Sequence, residues 1–421
     1  MNILYFHQHF KTPTVAGGTR SYELAQRLIA RGHKVIMVCG KTDDLDLPMT
    51  GHRGIRRGDI DGIDVIQIDI PYSNYDGIRK RTLIFVRFAW ASIGVALRES
   101  YDLLLATSTP LTAGIPGIVL KLLRRKQPFV FEVRDLWPEL PKALGMKNPL
   151  LLGGMSLLEW LTYRKADACI GLSPGICEGI AKRSQPGKRI AMIPNSCDLN
   201  LFTPGNRHDL PIEGIGANDL FAVFTGAHGI ANGLNAVLDA AAELIKRQRS
   251  DIKLLFIGDG KLKPALMQRA KDENLTNCLF LDPMPKRQLN KLIGCVDVGL
   301  MILANVPAFY YGTSPNKFFD YIASGLPVLN NYPGWLAEMI KTNDCGLAVP
   351  PDDPQAFANA LIELADNPQR RKQMGLNSRA LAEREFNRDH LGEQFADFLE
   401  ATAIGKNRNE ESRKQKSGNT Q

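Results

Sequence analysis

The sequence predicts two doubly wound α/β domains in tandem, and three observations carry that reading. Short apolar runs alternate with amphipathic stretches through the first half of the chain. A Pro- and Gly-rich stretch, residues 204–218, breaks the rhythm. The same alternation then restarts. Strands separated by helices give a parallel sheet covered on both faces, and such sheets bind ligands beyond the carboxyl ends of their strands.

The elements follow in order. In the first half the expected strands are Ile3–Phe6, Val35–Cys39, Val65–Asp69, Leu103–Ala106, Phe129–Glu132, Ala168–Gly171 and Ile190–Ile193. The clearest helix spans Thr19–Arg31: Thr19 can cap it, Leu24 and Leu28 share a face, and Gly32 stops it. In the second half the expected strands are Leu220–Thr225, Lys253–Ile257, Cys278–Leu281, Val296–Met301 and Pro327–Asn330. Helices such as Asn235–Gln248 and Asn316–Ser324 lie between them. The domains are therefore read as 1–204 and 219–404, joined by a linker at 205–218. Residues 405–421 hold almost nothing apolar and are expected to form a disordered tail.

Composition excludes several classes. At 421 residues with 44% hydrophobic and 23% charged, the chain can bury two ordinary cores without disulfides or metal staples. Seven scattered cysteines with no CxxC pair argue against a disulfide framework or a zinc module, and point to reduced thiols in the cytoplasm. The stretch Leu103–Leu120 is uncharged, but its prolines and glycines fit a strand, a loop and a short helix better than a membrane span. No leader is expected ahead of the first strand, since Met1–Phe6 reads straight into it. The net charge of +8 is uneven: +9 over residues 1–205, −4 over 206–404 and +3 over the last 17. A basic first half suits an anionic partner.

Five motifs stand out, four of them following expected strands and the fifth on a helix. Ala16-Gly17-Gly18-Thr19-Arg20 opens the first helix, and Gly17 and Gly18 suit either a phosphate contact or a tight turn. Thr225–Gly233 repeats the device with three glycines, His228 and Asn232, without a GxGxxG pattern. Gly258-Asp259-Gly260-Lys261 adds a cation at another strand end. Phe131–Pro138 places Glu132, Arg134 and Asp135 at the end of a very apolar strand, as chemistry or as a buried ion pair of Arg134 with Glu132 or Asp135. Ser314–Val328 puts Lys317 and Asp320 on one helical face, as a nucleotide seat or a surface salt bridge. His7-Gln8-His9 lacks a third metal ligand and reads as a polar strand end. Asp44-x-Asp46 and Asp59-x-Asp61 read as solvated loops.

Phe131–Pro138, Ile193-Pro194-Asn195-Ser196-Cys197-Asp198, the turn at 226–233 and Ser314–Val328 occur in an order and spacing that resemble the retaining, family-4 glycosyltransferases of the GT-B fold. Within that family the chain looks most like the N-acetyl-L-fucosamine transferases of bacterial O-antigen and capsule assembly. The resemblance implies two Rossmann-like domains facing across a cleft, with a C-terminal helix packing back on the first. It implies a nucleotide-sugar donor held by the second domain and an acceptor held by the first. The implied reaction moves a sugar, N-acetyl-L-fucosamine or a related 6-deoxy amino sugar, from a UDP donor to a lipid-linked saccharide with retention. No metal or other cofactor and no nucleic acid is expected. Asp135, Arg134 and Glu132 are the expected catalytic group. Gly17, Gly18, His228, Gly229, Asn232, Lys261, Lys317, Asp320 and Met284 are the expected donor contacts. Two departures stand out: Gly312 and Asp320 occupy the places of a frequent Glu pair, and His228 and Asn232 stand where the family often has Arg and Lys.

Residues 78–98 carry five Lys/Arg, no acid and three bulky aromatics. Lys80, Arg87, Trp90 and Arg98 are read as a basic amphipathic face for an anionic inner-membrane surface, extended by Arg124-Arg125-Lys126; the alternative is a Rossmann helix with solvated cations. That places the protein in the cytoplasm, peripheral on the membrane and close to a polyprenyl-diphosphate-linked acceptor. Two other function classes remain open: a sugar-nucleotide epimerase of the same fold, and a non-catalytic binding protein of polysaccharide assembly.

Overall fold

The computed structural model describes the chain except residues 42–44, 46, 49–53, 74–75, 124–125, 206–218 and 419–421, and the side chains beyond 405. Asp44-x-Asp46, Arg124, Arg125 and nearly all of the expected linker lie outside the described residues. The contacts divide the chain into two compact units. Unit 1 holds Met1–Thr12, Thr19–Pro194 and Asp389–Gln421; unit 2 holds Pro13–Gly18 and Asn195–Arg388.

Unit 1 carries β1 (Asn2–Phe6), β2 (Lys34–Lys41), β3 (Ile55–Ile60), β4 (Ile63–Pro71), β5 (Leu103–Thr107), β6 (Phe129–Val133), β7 (Ala168–Gly171) and β8 (Arg189–Met192). Its helices are α1 (Arg20–Ala30), α2 (Ile78–Arg98), α3 (Ile115–Leu123), α4 (Glu139–Ala143), α5 (Pro149–Lys165) and α6 (Pro174–Arg183). The sheet order is β3-β4-β2-β1-β5-β6-β7-β8. β1 runs parallel to both neighbours, with Leu4 beside Ile36 and Leu104. The chain therefore winds away from β1 in both directions, and the carboxyl end of β1 is a topological switch point. β1, β5 and β6 are mostly apolar because both faces of the sheet are covered, and the polar residues Thr107 and Glu132 lie at the carboxyl ends of β5 and β6.

Unit 2 carries β9 (Leu220–Thr225), β10 (Ile252–Ile257), β11 (Cys278–Leu281), β12 (Val298–Met301), β13 (Val328–Asn330) and β14 (Gly346–Ala348). Its helices are α7 (Asn235–Lys246), α8 (Lys263–Asp272), α9 (Lys286–Cys295), α10 (Pro307–Gly312), α11 (Asn316–Ala323), α12 (Trp335–Thr342), α13 (Pro354–Asp366) and α14 (Pro368–Glu385). The order β11-β10-β9-β12-β13-β14 puts its switch point at β9.

Four local features differ from the sequence reading, one being the three-residue edge strand Gly346–Ala348, which it did not include. Ile55–Ile60 is an antiparallel edge strand, so Asp59 has a strand context; Asp61 and Gly62, at φ 52° and 83°, make the two-residue turn into β4. Thr19 occupies the cap position of α1 without capping it through its side chain. The last helix, α15 (Arg388–Gly418), runs into the expected disordered tail; each residue added to a formed helix gains one hydrogen bond without a new nucleation cost. Within unit 1 its first turns meet α1 through ion pairs of Arg27 with Asp389 and Glu393, and of Arg31 with Glu393, Asp397 and Glu400.

Candidate functional site

The polar strand-end residues of unit 1 fall into two sets with different chemistry. Glu132 is fully buried, and its charge is consumed by Arg20 rather than Arg134. Its Oε2 accepts from Arg20 Nε (3.1 Å) and Nη2 (2.9 Å), and its Oε1 from Thr107 Oγ1 (2.8 Å). Arg20 also donates to the carbonyls of Pro194 (2.6 Å) and Ile193 (2.9 Å). Burial pushes the Glu132 pKa up, but the charge and hydrogen bonds of Arg20 outweigh it, and the net shift is downward. Glu132, expected among the catalytic groups, is therefore an anchor: it fixes Arg20, and Arg20 fixes the chain where it leaves unit 1.

Arg134 and Asp135 belong to the second set. The Arg134 amide donates to Ser108 Oγ (2.8 Å), and its Nη1 lies 3.4 Å from His7 Nε2. Asp135 accepts from Thr109 Oγ1 (3.0 Å), and burial raises its pKa. His7 and His9 approach from β1. Burial first, and then the charge of Arg134, hold both imidazoles neutral, His9 with its pKa lowered to about 4. The arrangement is a cation and a carboxyl beside two uncharged imidazoles, at the switch point of the sheet.

Unit 2 builds its site from backbone. The turns after β9 and β10 cross in contact: Gly226 N donates to Ile257 O and His228 N to Asp259 O, each at 2.9 Å. At Gly258, φ is 146° and a Cβ would stand 1.9 Å from Gly226 O; at Gly260, φ is 156° and a Cβ would stand 2.6 Å from His228 O. Both positions require glycine. Over this turn lies Lys317, from α11. Its Nζ donates to Asn232 Oδ1 (3.0 Å) and sits 3.8 Å from the centre of the Phe224 ring. Asn232 is held in turn by donating to Ala227 O (2.7 Å). Loss of hydration lowers the Lys317 pKa to about 7. This cation stands at the place where the sequence reading found none on the turn itself.

Other expected donor residues are placed differently. His228 is fully buried among Phe224, Phe256 and Phe280, and burial lowers its pKa to about 4, so it brings no charge to a diphosphate. Gly229 starts a short turn ending at Asn232. Lys261 is exposed, whereas the unpredicted Lys263 is buried and donates to Leu281 O (3.0 Å) and Asp282 (2.8 Å). Met284 is half-buried in the segment after β11. Asp320 parts company with Lys317: it is buried against Lys286 at 3.2 Å, and burial raises its pKa. The carboxylate expected among the donor contacts is thus already paired with an internal cation. Lys286 had no signal in the sequence beyond opening a helix. Gly17 and Gly18 group with unit 2, Gly17 at φ 139°. Among the described residues, no group of three or more His, Cys, Asp or Glu is placed to hold a metal ion.

Two family models match the chain. Residues 16–196 match the glycosyl transferase 4-like domain, and residues 220–367 match the glycosyl transferases group 1. The chain belongs to the group 1, GT4-like glycosyltransferase family. Its fold is that family's GT-B architecture of two Rossmann-like domains. The chain resembles the structure of Anabaena HepE in complex with UDP over 95% of this chain and all of that one, at 17% identity and a TM-score of 0.65. A GDP-mannose-dependent monoacylated alpha-(1-6)-phosphatidylinositol monomannoside mannosyltransferase of Corynebacterium glutamicum is 26% identical over half of this chain and 55% of its own length. An O-antigen chain mannosyltransferase C of Escherichia coli is 26% identical over 43% of this chain and 46% of its own. The chain thus spans about half the length of these two relatives.

Proposed function

We propose that the protein is a retaining glycosyltransferase that moves a sugar from a UDP donor to a lipid-linked saccharide in surface-polysaccharide assembly. N-acetyl-L-fucosamine or a related 6-deoxy amino sugar is the proposed donor sugar. One observation carries the reading most directly: a glycine-built double turn at a topological switch point, roofed by a half-buried lysine whose ammonium is held by Asn232 and, among the described residues, pairs with no carboxylate. Backbone N–H groups and a poorly hydrated ammonium suit a diphosphate whose negative charge grows as the sugar leaves. The complex of Anabaena HepE with UDP supports a uridine nucleotide, and the family supports transfer.

In the proposed reaction the acceptor hydroxyl attacks the donor on the face from which UDP departs. A diphosphate oxygen helps take the proton, without a covalent enzyme intermediate. Lys317 balances the leaving diphosphate. Asp135 lies nearest the reacting sugar, where it orients a hydroxyl or stabilises developing positive charge. The protein mainly positions the reactants and stabilises charge.

The test is a mass-spectrometric screen of UDP-sugars, with GDP-mannose included because one relative carries that donor in its name, against a polyprenyl-diphosphate-linked N-acetylhexosamine. A UDP-sugar that extends the acceptor by one residue supports the proposal. Isomerisation of the UDP-sugar without acceptor, read by NMR because epimers share one mass, would make the protein an epimerase, and extension by GDP-mannose alone would replace the donor.

We also place the protein on the inner face of an anionic membrane. Trp90 is 78% exposed on α2, with Ile78, Leu83, Val86, Lys80, Arg87 and Arg98 exposed on the same helix, while Ile84 and Phe88 face the core. The apolar residues of this helix are thus not all spent on packing. Among the described residues no helix is long and apolar enough to cross a membrane.

A further inference from the structure

The carboxyl end of β1 carries buried polar atoms that the fold does not use. Gln8 is 2% exposed, and both its amide nitrogen and its oxygen lack a hydrogen-bond partner. His7 is 3% exposed; its Nε2 faces Arg134, and its Nδ1 has no partner. A buried amide left unpaired costs stability, and native structures rarely keep one without a use for it.

Next to these atoms stands an aromatic shelf. The His9 ring lies 4.4 Å from the ring of Tyr72 and 6.1 Å from that of Phe85, centre to centre. Tyr72 and Phe85 stack at 5.7 Å with 21° between their planes. The Arg81 guanidinium lies over Tyr72 at 5.5 Å, and its Nε is buried without a partner. The charges of Arg134, Arg81 and Lys11 all bear on His9, whose imidazole stays neutral and ring-like. Phe85 and Arg81 belong to α2, the helix whose outer face carries Trp90.

An apolar platform, a few fixed polar atoms and two guanidinium groups make a site for one ligand chemistry: a sugar bearing a phosphate. A pyranose presents a C–H face to aromatic rings and polar groups at its rim, and guanidinium groups pair with phosphate oxygens. We propose that this corner of unit 1 seats the sugar phosphate of the acceptor, with the ring on His9, Tyr72 and Phe85, its rim paired to the Gln8 amide and His7 Nδ1, and the phosphate at Arg81 and Arg134. The proposal rests on the transferase reading above and names its acceptor side. It also gives α2 two duties, since the helix that meets the lipid surface on one side holds the head of the lipid-linked substrate on the other.

Saturation-transfer NMR with N-acetylglucosamine 1-phosphate tests the seat without requiring turnover. The wild type should transfer saturation to the ring C–H protons. Gln8→Met, which keeps the volume, and Tyr72→Ala should each weaken binding about ten-fold. Thermal unfolding checks that both variants fold, and calorimetry should show UDP affinity unchanged. With a lipid-linked acceptor the same variants should raise the acceptor KM and leave the donor KM alone. No saturation of the sugar, equal saturation in both folded variants, or complete displacement by an equal concentration of inorganic phosphate would overturn the seat. A seat that binds the probe in a protein that transfers no sugar to any acceptor would fail the transferase reading and leave the seat standing.

Discussion

The two sheets place their polar sites at the same topological position and build them in opposite ways. In unit 1 the switch point at β1 is furnished with side chains: a saturated anchor in Arg20–Glu132, and beside it the His7 imidazole, the Gln8 amide and the Arg81 guanidinium, each with a buried atom left unpaired. In unit 2 the switch point at β9 is furnished with backbone, where two turns cross, Gly258 and Gly260 admit no Cβ, and one lysine reaches over from α11. A backbone site suits a ligand that is always the same, such as a diphosphate. A side-chain site suits a ligand that varies between relatives, such as an acceptor sugar.

The largest expected effect breaks the anchor of unit 1. Arg20→Met leaves Glu132 charged, buried and unpaired, and should cost about 3–5 kcal/mol of stability in urea unfolding. The folded pKa of Glu132 lies below its unfolded value, so its stabilisation is present above the unfolded pKa and is lost as pH falls through the folded one. Wild-type stability should therefore decline on acidification below about pH 4.5, and Glu132→Gln should flatten part of that decline. An Arg20→Met variant as stable as the wild type would mean that the pair adds nothing to unit 1.

Next in size is Asp135→Asn. If the carboxyl works on the reacting sugar, turnover should fall about 100-fold or more with UDP affinity nearly intact. Near-normal turnover would leave Asp135 a partner of Thr109 and nothing more.

The third contrast separates two residues that one helical face suggested were alike. Lys317→Ala should lower UDP affinity by about 1.5–3 kcal/mol, roughly ten- to hundred-fold, in calorimetry. Asp320→Asn should instead lower stability, through Lys286, and spare UDP affinity. The Lys317 ammonium loses its proton as pH rises through about 7, so the affinity it supplies should fall between pH 6 and 8. Subtracting the profile of Lys317→Met removes the titration of UDP itself. Identical profiles for the two proteins would exclude Lys317 from the diphosphate seat.

Much of this was legible in the sequence, and the physical reasons for the rest are specific. Parallel strands buried on both faces announce themselves as apolar runs, so the elements of the two sheets emerged nearly complete. Ile55–Ile60 did not, because an edge strand with Arg56, Arg57 and Asp59 has no apolar alternation; the Asp61-Gly62 pair was the signal available. The glycine turns were visible because φ and close approach restrict the residue type. The pairings were not: Arg20 with Glu132 spans 112 residues, and Lys286 with Asp320 spans 34, and nothing local in a sequence reports either. His228 misled for a related reason, since burial turned a residue read as polar into part of an aromatic cluster.

The smallest effect per residue is expected on the outside of α2, and it decides whether unit 1 meets a surface that unit 2 does not. Leu122 and Leu123 of α3 and Leu150 and Leu157 of α5 are exposed too, and both of these helices belong to the group that packs with α2, as α2 against α3 and α3 against α5. Leu150 is 87% exposed, which no internal contact explains. An apolar outer face with interspersed cations matches the boundary between lipid headgroups and chains, where each cation contributes about 1 kcal/mol. Lys80 shares its charge with Asp76 at 2.8 Å, so it should contribute less than Arg87 or Arg98. Co-sedimentation with vesicles should increase with their anionic lipid and weaken with salt. Lys80, Arg87 and Arg98 replaced together by Gln should remove the salt-sensitive part. Trp90→Ala should weaken binding equally at low and high salt, because the indole acts through burial and not through charge. If anionic vesicles at low salt leave the wild type in the supernatant, the apolar face is not a membrane face, and α2 keeps only its inner duty at the aromatic shelf.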